Sequence, residues 1–159
     1  KFTEAEMAQI TVPGSAKALK MAFEKVAPGW SIANCGSDMD PGLRDEELGC
    51  NNVLVTHPLD KDTPCVLSRK VDLPAGKKST LKLTVGHHPE GDWDLIVKAD
   101  ARELLRKTVG ATAATKGWLD VSVDLSAYQG KSILLELCNQ PTGWSFEGGY
   151  WARISIETE

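Results

Sequence analysis

No apolar run in this chain approaches the roughly 20 residues needed to cross a bilayer, and its N-terminus lacks the charged-then-apolar pattern of a signal peptide. A soluble chain is expected. Nor is there a block of Lys or Arg: acidic and basic residues are interspersed, with a formal charge of −4. That removes the electrostatic footprint a phosphate backbone would need, so neither nucleic acid nor membrane is an expected partner. CxxC pairs are missing, and the 3 histidines, His57, His87 and His88, do not flank any cysteine at zinc-ligand spacing. Nucleophilic and phosphate chemistry lack their signatures too, with no Gly-x-Ser-x-Gly elbow and no Gly-rich loop ahead of a Lys-Ser/Thr pair. Without repeats, low-complexity tracts or a linker, the 159 residues read as one domain. Such a chain buries roughly two thirds of its unfolded surface around a single core.

What the chain does contain is 4 cysteines, Cys35, Cys50, Cys65 and Cys138. An even count in a Trp- and Gly-rich β-protein agrees with an oxidising compartment. The start at Lys1 without an initiator Met fits a mature secreted chain or a domain cut from a longer protein, and a secreted or periplasmic location is expected. Among the possible pairings, Cys35 with Cys50 is preferred because it would close the polar loop 36–49, worth about 3 kcal/mol in the chain-entropy account. Four reduced, buried thiols are the alternative.

The hydrophobic pattern changes period along the chain. Ser15 could cap a short helix in which Leu19, Ala22, Phe23 and Val26 recur at helical spacing, ending near Pro28 and Gly29. Residues 1–29 are thus expected to be an N-terminal arm with a short helix, part of the same domain, and residues 30–159 a β-sandwich. After a polar loop rich in Asp and Gly (37–49), strands are expected at 52–56, 65–73, 80–85, 93–99, 103–109, 119–125, 133–138 and 150–157. Leu81, Leu83 and Val85 alternate with polar neighbours, as do Leu119, Val121, Val123 and Leu125, and again Ile133, Leu135 and Leu137; the three stripes should share one core. The fold class expected is all-β, an antiparallel sandwich.

In such a fold the joining loops are the natural seat of function. Acidic residues are plentiful, but Asp120, Asp124 and Glu136 fall on outward strand positions, and Asp38, Asp40, Asp45, Glu46 and Glu47 fall in the polar loop. No spacing places an acid–base pair of the kind glycoside hydrolysis needs, so no catalytic residue is assigned and a non-enzyme is expected. Two loops combine aromatic area with polar groups, as a shallow sugar or peptide site requires. One, 86–93, carries His87, His88, Glu90 and Asp92; the other, 139–147, carries Asn139, Gln140, Thr142, Trp144, Ser145, Phe146 and Glu147. Trp30, Trp93, Trp118 and Trp151 read as packing residues, Trp151 with a cation–π contact to Arg153 in reach. Trp144 lies outside any strand period and is the expected exposed platform. His87 and His88 point apart as neighbours, which favours bonding to the loop backbone over a metal pair. Asp92 and Asp94 on one face could hold a structural calcium; no other cofactor is implied.

Residues 117–131, with Trp118, Asp124-Leu125-Ser126, Tyr128 and Gly130-Lys131, and residues 149–156, with Tyr150-Trp151 and Ile154, resemble the closing strands of galactose-binding-domain-like jelly-roll sandwiches. Residues 65–77 and 91–97 are similar to that superfamily's early strand, turn and central strand, so the likeness covers about 50–157. Residues 52–58, 86–89 and 139–145 further resemble sandwich modules of planctomycete-type secreted proteins. The resemblance implies a jelly roll and a non-catalytic carbohydrate-binding module that recognises its ligand through loops at one end, often with a structural calcium. Where the superfamily has an Asp-Gly turn between two central strands, this chain has Ala99-Asp100-Ala101-Arg102. The function expected is glycan binding through Trp144, Asn139, Gln140, Glu147, His87, His88 and Asp92. One alternative is a structural or protein-interaction module that packs against neighbouring domains of a longer extracellular chain. The other is a glycoside-active enzyme using loop carboxylates.

Overall fold

A computed structural model describes residues 27–114 and 116–159. The helix expected around Leu19 to Val26, and with it most of the N-terminal arm, lies outside the described residues. Ten strands follow: β1 (Ser31–Ala33), β2 (Gly42–Glu47), β3 (Cys50–Thr56), β4 (Cys65–Asp72), β5 (Ser79–His87), β6 (Trp93–Ala99), β7 (Arg102–Val109), β8 (Trp118–Asp124), β9 (Ser132–Gln140) and β10 (Gly149–Thr158). A short 3-10 turn, Ser126–Tyr128, is the one helical element among the described residues. No described helix is long and apolar enough to cross a membrane.

The strands form two five-stranded sheets, ordered β1-β4-β9-β6-β7 and β2-β3-β10-β5-β8, and every pairing is antiparallel. Counted from β3 as the first of eight, the two orders read 2-7-4-5 and 1-8-3-6, which is the jelly roll, with β1 and β2 added at the edges. The fold class expected from the period-two stripes is the one observed.

Alternation explains which side chains meet. Leu81, Leu83 and Val85 of β5, Val121 and Val123 of β8, and Ile133, Leu135 and Leu137 of β9 all point into one buried cluster. Trp93 and Trp151 meet inside it from opposite sheets, their ring centroids 5.3 Å apart at 49°. Each buried indole has its N–H satisfied, Trp93 by the Gly86 carbonyl and Trp151 by the Thr56 hydroxyl, both at 2.9 Å. Truncating either ring would cost about 3–5 kcal/mol.

Three features depart from the sequence reading. The polar loop contains β2, whose Arg44-Asp45-Glu46-Glu47 run pairs by backbone alone with β3. Leu48 (φ 50°) and Gly49 (φ 84°) supply the two left-handed positions of the tight turn between them. Second, β3 pairs with β10 only over residues 54–56. With Asn52 also left-handed at φ 55°, the hairpin leaves the sheet and folds across its outer face, where the Leu48 carbonyl accepts from Trp118 Nε1 at 2.9 Å. A second, smaller apolar cluster results, with Val53, Val55 and Tyr150 buried beneath Leu48, Cys50 and Trp118. Third, a bulge between Trp151 and Arg153 breaks their shared parity. Trp151 goes to the core, while Arg153 turns outward to Glu157 (2.7 Å), so the cation–π contact is not made.

The Cys35–Cys50 bridge is not made either. All four thiols are free. Cys35 packs against the main core and Cys50 against the outer cluster, so the β2-β3-β10-β5-β8 sheet, sheet two, stands between them. Closing the polar loop needed no covalent link, because β2 closes it by strand pairing.

Candidate binding site

Four connections gather at one end of the sandwich: 57–64 after β3, 88–92 after β5, 110–117 after β7 and 141–148 after β9. Strand register fixes this. Gly149 at the head of β10 lies between Thr56 and His87, and Trp93 at the head of β6 lies opposite Val109. Between them opens a cleft of about 500 Å³ lined by Pro89, Glu90, Gly91, Asp92, Ala111, Thr112, Thr142, Gly143, Trp144, Ser145 and Glu147. Both loops singled out in the sequence contribute, and the 110–117 connection supplies a third wall that no aromatic or charged signature had marked.

Trp144 is the apolar face of this cleft. At 43% exposed, it is the solvent-facing indole expected from its position outside any strand. Its ring rests edge-on against His57, with centroids 5.1 Å apart at 83°. Buried His57 is held in turn through Nδ1, which donates to the Pro58 carbonyl at 2.8 Å. Phe146, in the same loop and also exposed, stacks on the ring of His88 at 4.4 Å and 17°. Both aromatics therefore lean on imidazoles.

The polar residues divide into those that face the cleft and those that build it. Asp92 is half-buried and accepts from the Thr142 hydroxyl, tying the second loop to the first. Glu147 lines the cleft but is only 2% exposed. Its Oε1 accepts from the backbone N–H of Thr142 and of Gly143 (2.7 Å) and lies 3.0 Å from Thr142 Oγ1, whose single proton it shares with Asp92. One carboxylate oxygen thus organises the turn that presents Trp144. His87, buried, shares its Nδ1 proton between the carbonyls of His88 (2.7 Å) and Gly91 (2.9 Å). Asn139 is fully buried. In the amide orientation that satisfies every partner, its oxygen accepts from Gly149 N and Thr56 Oγ1 and its nitrogen donates to the Glu147 carbonyl, at 3.0–3.2 Å. Gln140 sits half-buried at the end of β9, opposite Asp94.

Of the seven residues expected to contact a ligand, Trp144 and Asp92 stand on the cleft with surface to offer. Glu147, His87 and Asn139 are its internal scaffold, and His88 serves as a backing plate for Phe146. His88 Nδ1 accepts from the Glu90 N–H at 3.0 Å, which bears out the backbone-bonding expectation for the histidine pair. Glu90, Thr112, Thr142 and Ser145 are cleft residues not chosen from the sequence. Phe146 was also passed over, although an aromatic at φ 54° is a rare conformation. Gly91 explains the tight seating of its loop: a Cβ there would lie 2.0 Å from the Phe146 carbonyl oxygen.

Asp92 and Asp94, the pair expected to hold calcium, each bond a threonine. Asp94 accepts from Thr108 Oγ1 at 2.6 Å while Asp92 binds Thr142. Among the described residues no three His, Cys, Asp or Glu side chains converge as a metal cage.

No family model matches the chain, and no curated protein matches it in sequence. Solved structures do match its fold. The K1 cleaved adhesin domain of Lys-gingipain from Porphyromonas gingivalis W83 aligns with a TM-score of 0.57 at 18% identity, covering 85% of this chain and 94% of that one. The CBM22-1 xylan-binding domain of Xyn10C from Paenibacillus barcinonensis aligns at 0.54 and 14%, covering 84% and 87%. A cyclase from Fischerella sp. TAU aligns at 0.51 and 15%, covering 84% and 86%. At these identities the likeness is one of fold: the chain is a jelly-roll β-sandwich of the architecture shared by carbohydrate-binding modules and an adhesin domain.

Proposed function

We propose that this domain is a non-catalytic carbohydrate-binding module working outside the cytoplasm, and that it takes glycan at the cleft formed by the 88–92, 110–117 and 141–148 loops. The observation that carries the reading is Trp144: an exposed indole, backed by His57, on the wall of an open 500 Å³ cleft whose lining also includes hydroxyls and carboxylates. A sugar ring has one apolar face and a girdle of hydroxyls. Trp144 would cover the first, while Glu90, Asp92, Thr112 and Ser145 would exchange water for the second. The xylan-binding domain among the fold neighbours adds support.

Contacts this few give weak binding of a single ligand, on the order of 0.1–1 mM. Useful retention then comes from repeated modules or a tethered partner. Pull-down on insoluble polysaccharides together with a glycan array, comparing the parent chain with Trp144→Ala, tests the reading. Retention on at least one glycan that the variant loses supports it; no retention by the parent on any glycan overturns it.

One observation favours a second reading, docking against a neighbouring domain. Leu59, Trp144 and Phe146 are all exposed near this end, and His57, two residues from Leu59, touches Trp144. A surface of that kind fits a protein partner as well as a sugar, and this reading takes over when no glycan binds. The enzyme reading has less: Glu147 is 2% exposed and its Oε1 is taken up by the backbone of its own loop.

A further inference from the structure

Cys35 lies just past β1, and the residue before it, Asn34, is left-handed at φ 58°. Ile32 packs on the core and Ala33 faces out, so a straight strand would turn residue 35 outward as well. Asn34 breaks that parity, and Cys35 packs against the main core instead. Its neighbour there is Cys65, the fully buried first residue of β4. Antiparallel register pairs Ala33 with Val66, which sets Asn34 opposite Cys65 and Cys35 one step along the diagonal. Both thiols belong to that one core cluster, and the Cys35 thiol donates to the Gly36 carbonyl at 3.5 Å.

Neither remaining cysteine can compete. Cys138 is paired with Val66, and Asn139 with Cys65, so Cys138 points to the opposite face of the same sheet. Cys50 belongs to the outer cluster beyond sheet two.

We propose that Cys35 and Cys65 are an oxidation site and become a disulfide when a small-molecule disulfide such as oxidised glutathione is present. Cys35 is half-buried and Cys65 fully buried, so the outer sulfur reacts first. The Cys35 thiolate attacks one sulfur of the small disulfide, forming a mixed disulfide and expelling one thiolate. Cys65 loses its proton to solvent and attacks Cys35 Sγ, expelling the second. Two protein thiols and one small disulfide become one protein disulfide and two small thiols. The neighbouring Cys65 thiol holds Cys35 below its ordinary pKa, while the Cys35 thiol, reinforced by burial, pushes Cys65 well up; that order of acidity matches the order of attack.

The bond would reach the binding end through the backbone. Gly36 N donates to the His57 carbonyl at 2.9 Å, and Cys35 bridges to Pro58. Gly36 is seated so closely that a Cβ would lie 2.3 Å from the Pro58 oxygen. Joining Cys35 to Cys65 therefore pins the segment against which the His57–Pro58 turn, and through it Trp144, is braced.

The test uses the whole chain, equilibrated either with oxidised glutathione or with dithiothreitol, then unfolded, alkylated with N-ethylmaleimide, digested and mapped by mass spectrometry. The oxidised sample is expected to take two labels in place of four, with Cys35 and Cys65 recovered as one linked peptide. Its thermal midpoint should exceed that of the reduced sample, a difference that vanishes in Cys35→Ser. Full labelling after oxidation, or a link joining any other pair, overturns the proposal.

Discussion

Trp144 stands edge-on to His57 at 5.1 Å, an exposed ring propped by a buried one. Their contact joins two connections, 57–64 and 141–148, that strand order brings to the same end of the sandwich. Trp144 can thus be removed from outside without disturbing the fold, while His57 cannot. Trp144→Ala should weaken glycan binding at least tenfold, equivalent to about 1.4 kcal/mol, and shift stability by no more than about 0.5 kcal/mol. Affinity electrophoresis and urea unfolding on one preparation measure both. A large loss of stability would mean that the indole serves packing rather than recognition.

Glu147 should behave in the opposite way. Its Oε1 collects two backbone N–H groups while almost wholly buried. Glu147→Ala is expected to cost about 2–3 kcal/mol through the orphaned donors, with Glu147→Gln retaining part of that. A denaturation midpoint unchanged by the alanine variant would restore Glu147 to the list of ligand contacts.

The β6–β7 turn carries strain that glycine would relieve. Asp100 (φ 48°) and Ala101 (φ 68°) both occupy the left-handed region, so they fill the two central positions that an Asp-Gly hairpin would fill. Asp100 is also held, its N–H donating to the Leu134 carbonyl and its Oδ1 accepting from Leu134 N, each at 2.9 Å. Ala101→Gly should stabilise the domain by about 1 kcal/mol, read as a higher thermal midpoint. No gain would mean that glycine's added freedom in the unfolded chain offsets the relief.

Acid should loosen the turn after β8. Ser126 donates through its hydroxyl and its N–H to Asp124 Oδ1, holding that carboxyl below the usual carboxylate range. Since the folded pKa is the lower one, the unfolded chain binds more protons as the medium is acidified. The contribution is present above the unfolded pKa and lost as pH falls through the folded one. Asp124→Asn should flatten the acid limb of the stability curve, measured as thermal midpoint against pH between about 2 and 5. An unaltered slope would remove Asp124 from the account.

Most of the sandwich was legible because burial on one face writes a period of two into the chain, and β4, β5, β6, β8 and β9 carry that stripe. β2 carries none: as an edge strand held by backbone pairing, Gly-Leu-Arg-Asp-Glu-Glu looks like a polar loop. The bulge between Trp151 and Arg153 was equally silent, since one extra residue changes parity without changing composition. At the site, the right loops could be picked from their aromatics and glycines, but roles within them could not. Asn139, His87 and Glu147 are polar because their own backbone needs partners, and a ligand would demand the same residue types. Trp144 could be singled out because nothing in the strand pattern called for it.

Both sheets end on strands that discourage continuation. β2 shows Arg44, Asp45, Glu46 and Glu47 along its length, β7 shows Arg102, Glu103, Arg106 and Lys107, and β8 shows Asp120 and Asp124; β1 is three residues long. Charge at a free border makes zipping onto another copy costly. Molecules crowded together would therefore stay separate beads rather than fuse into a fibre.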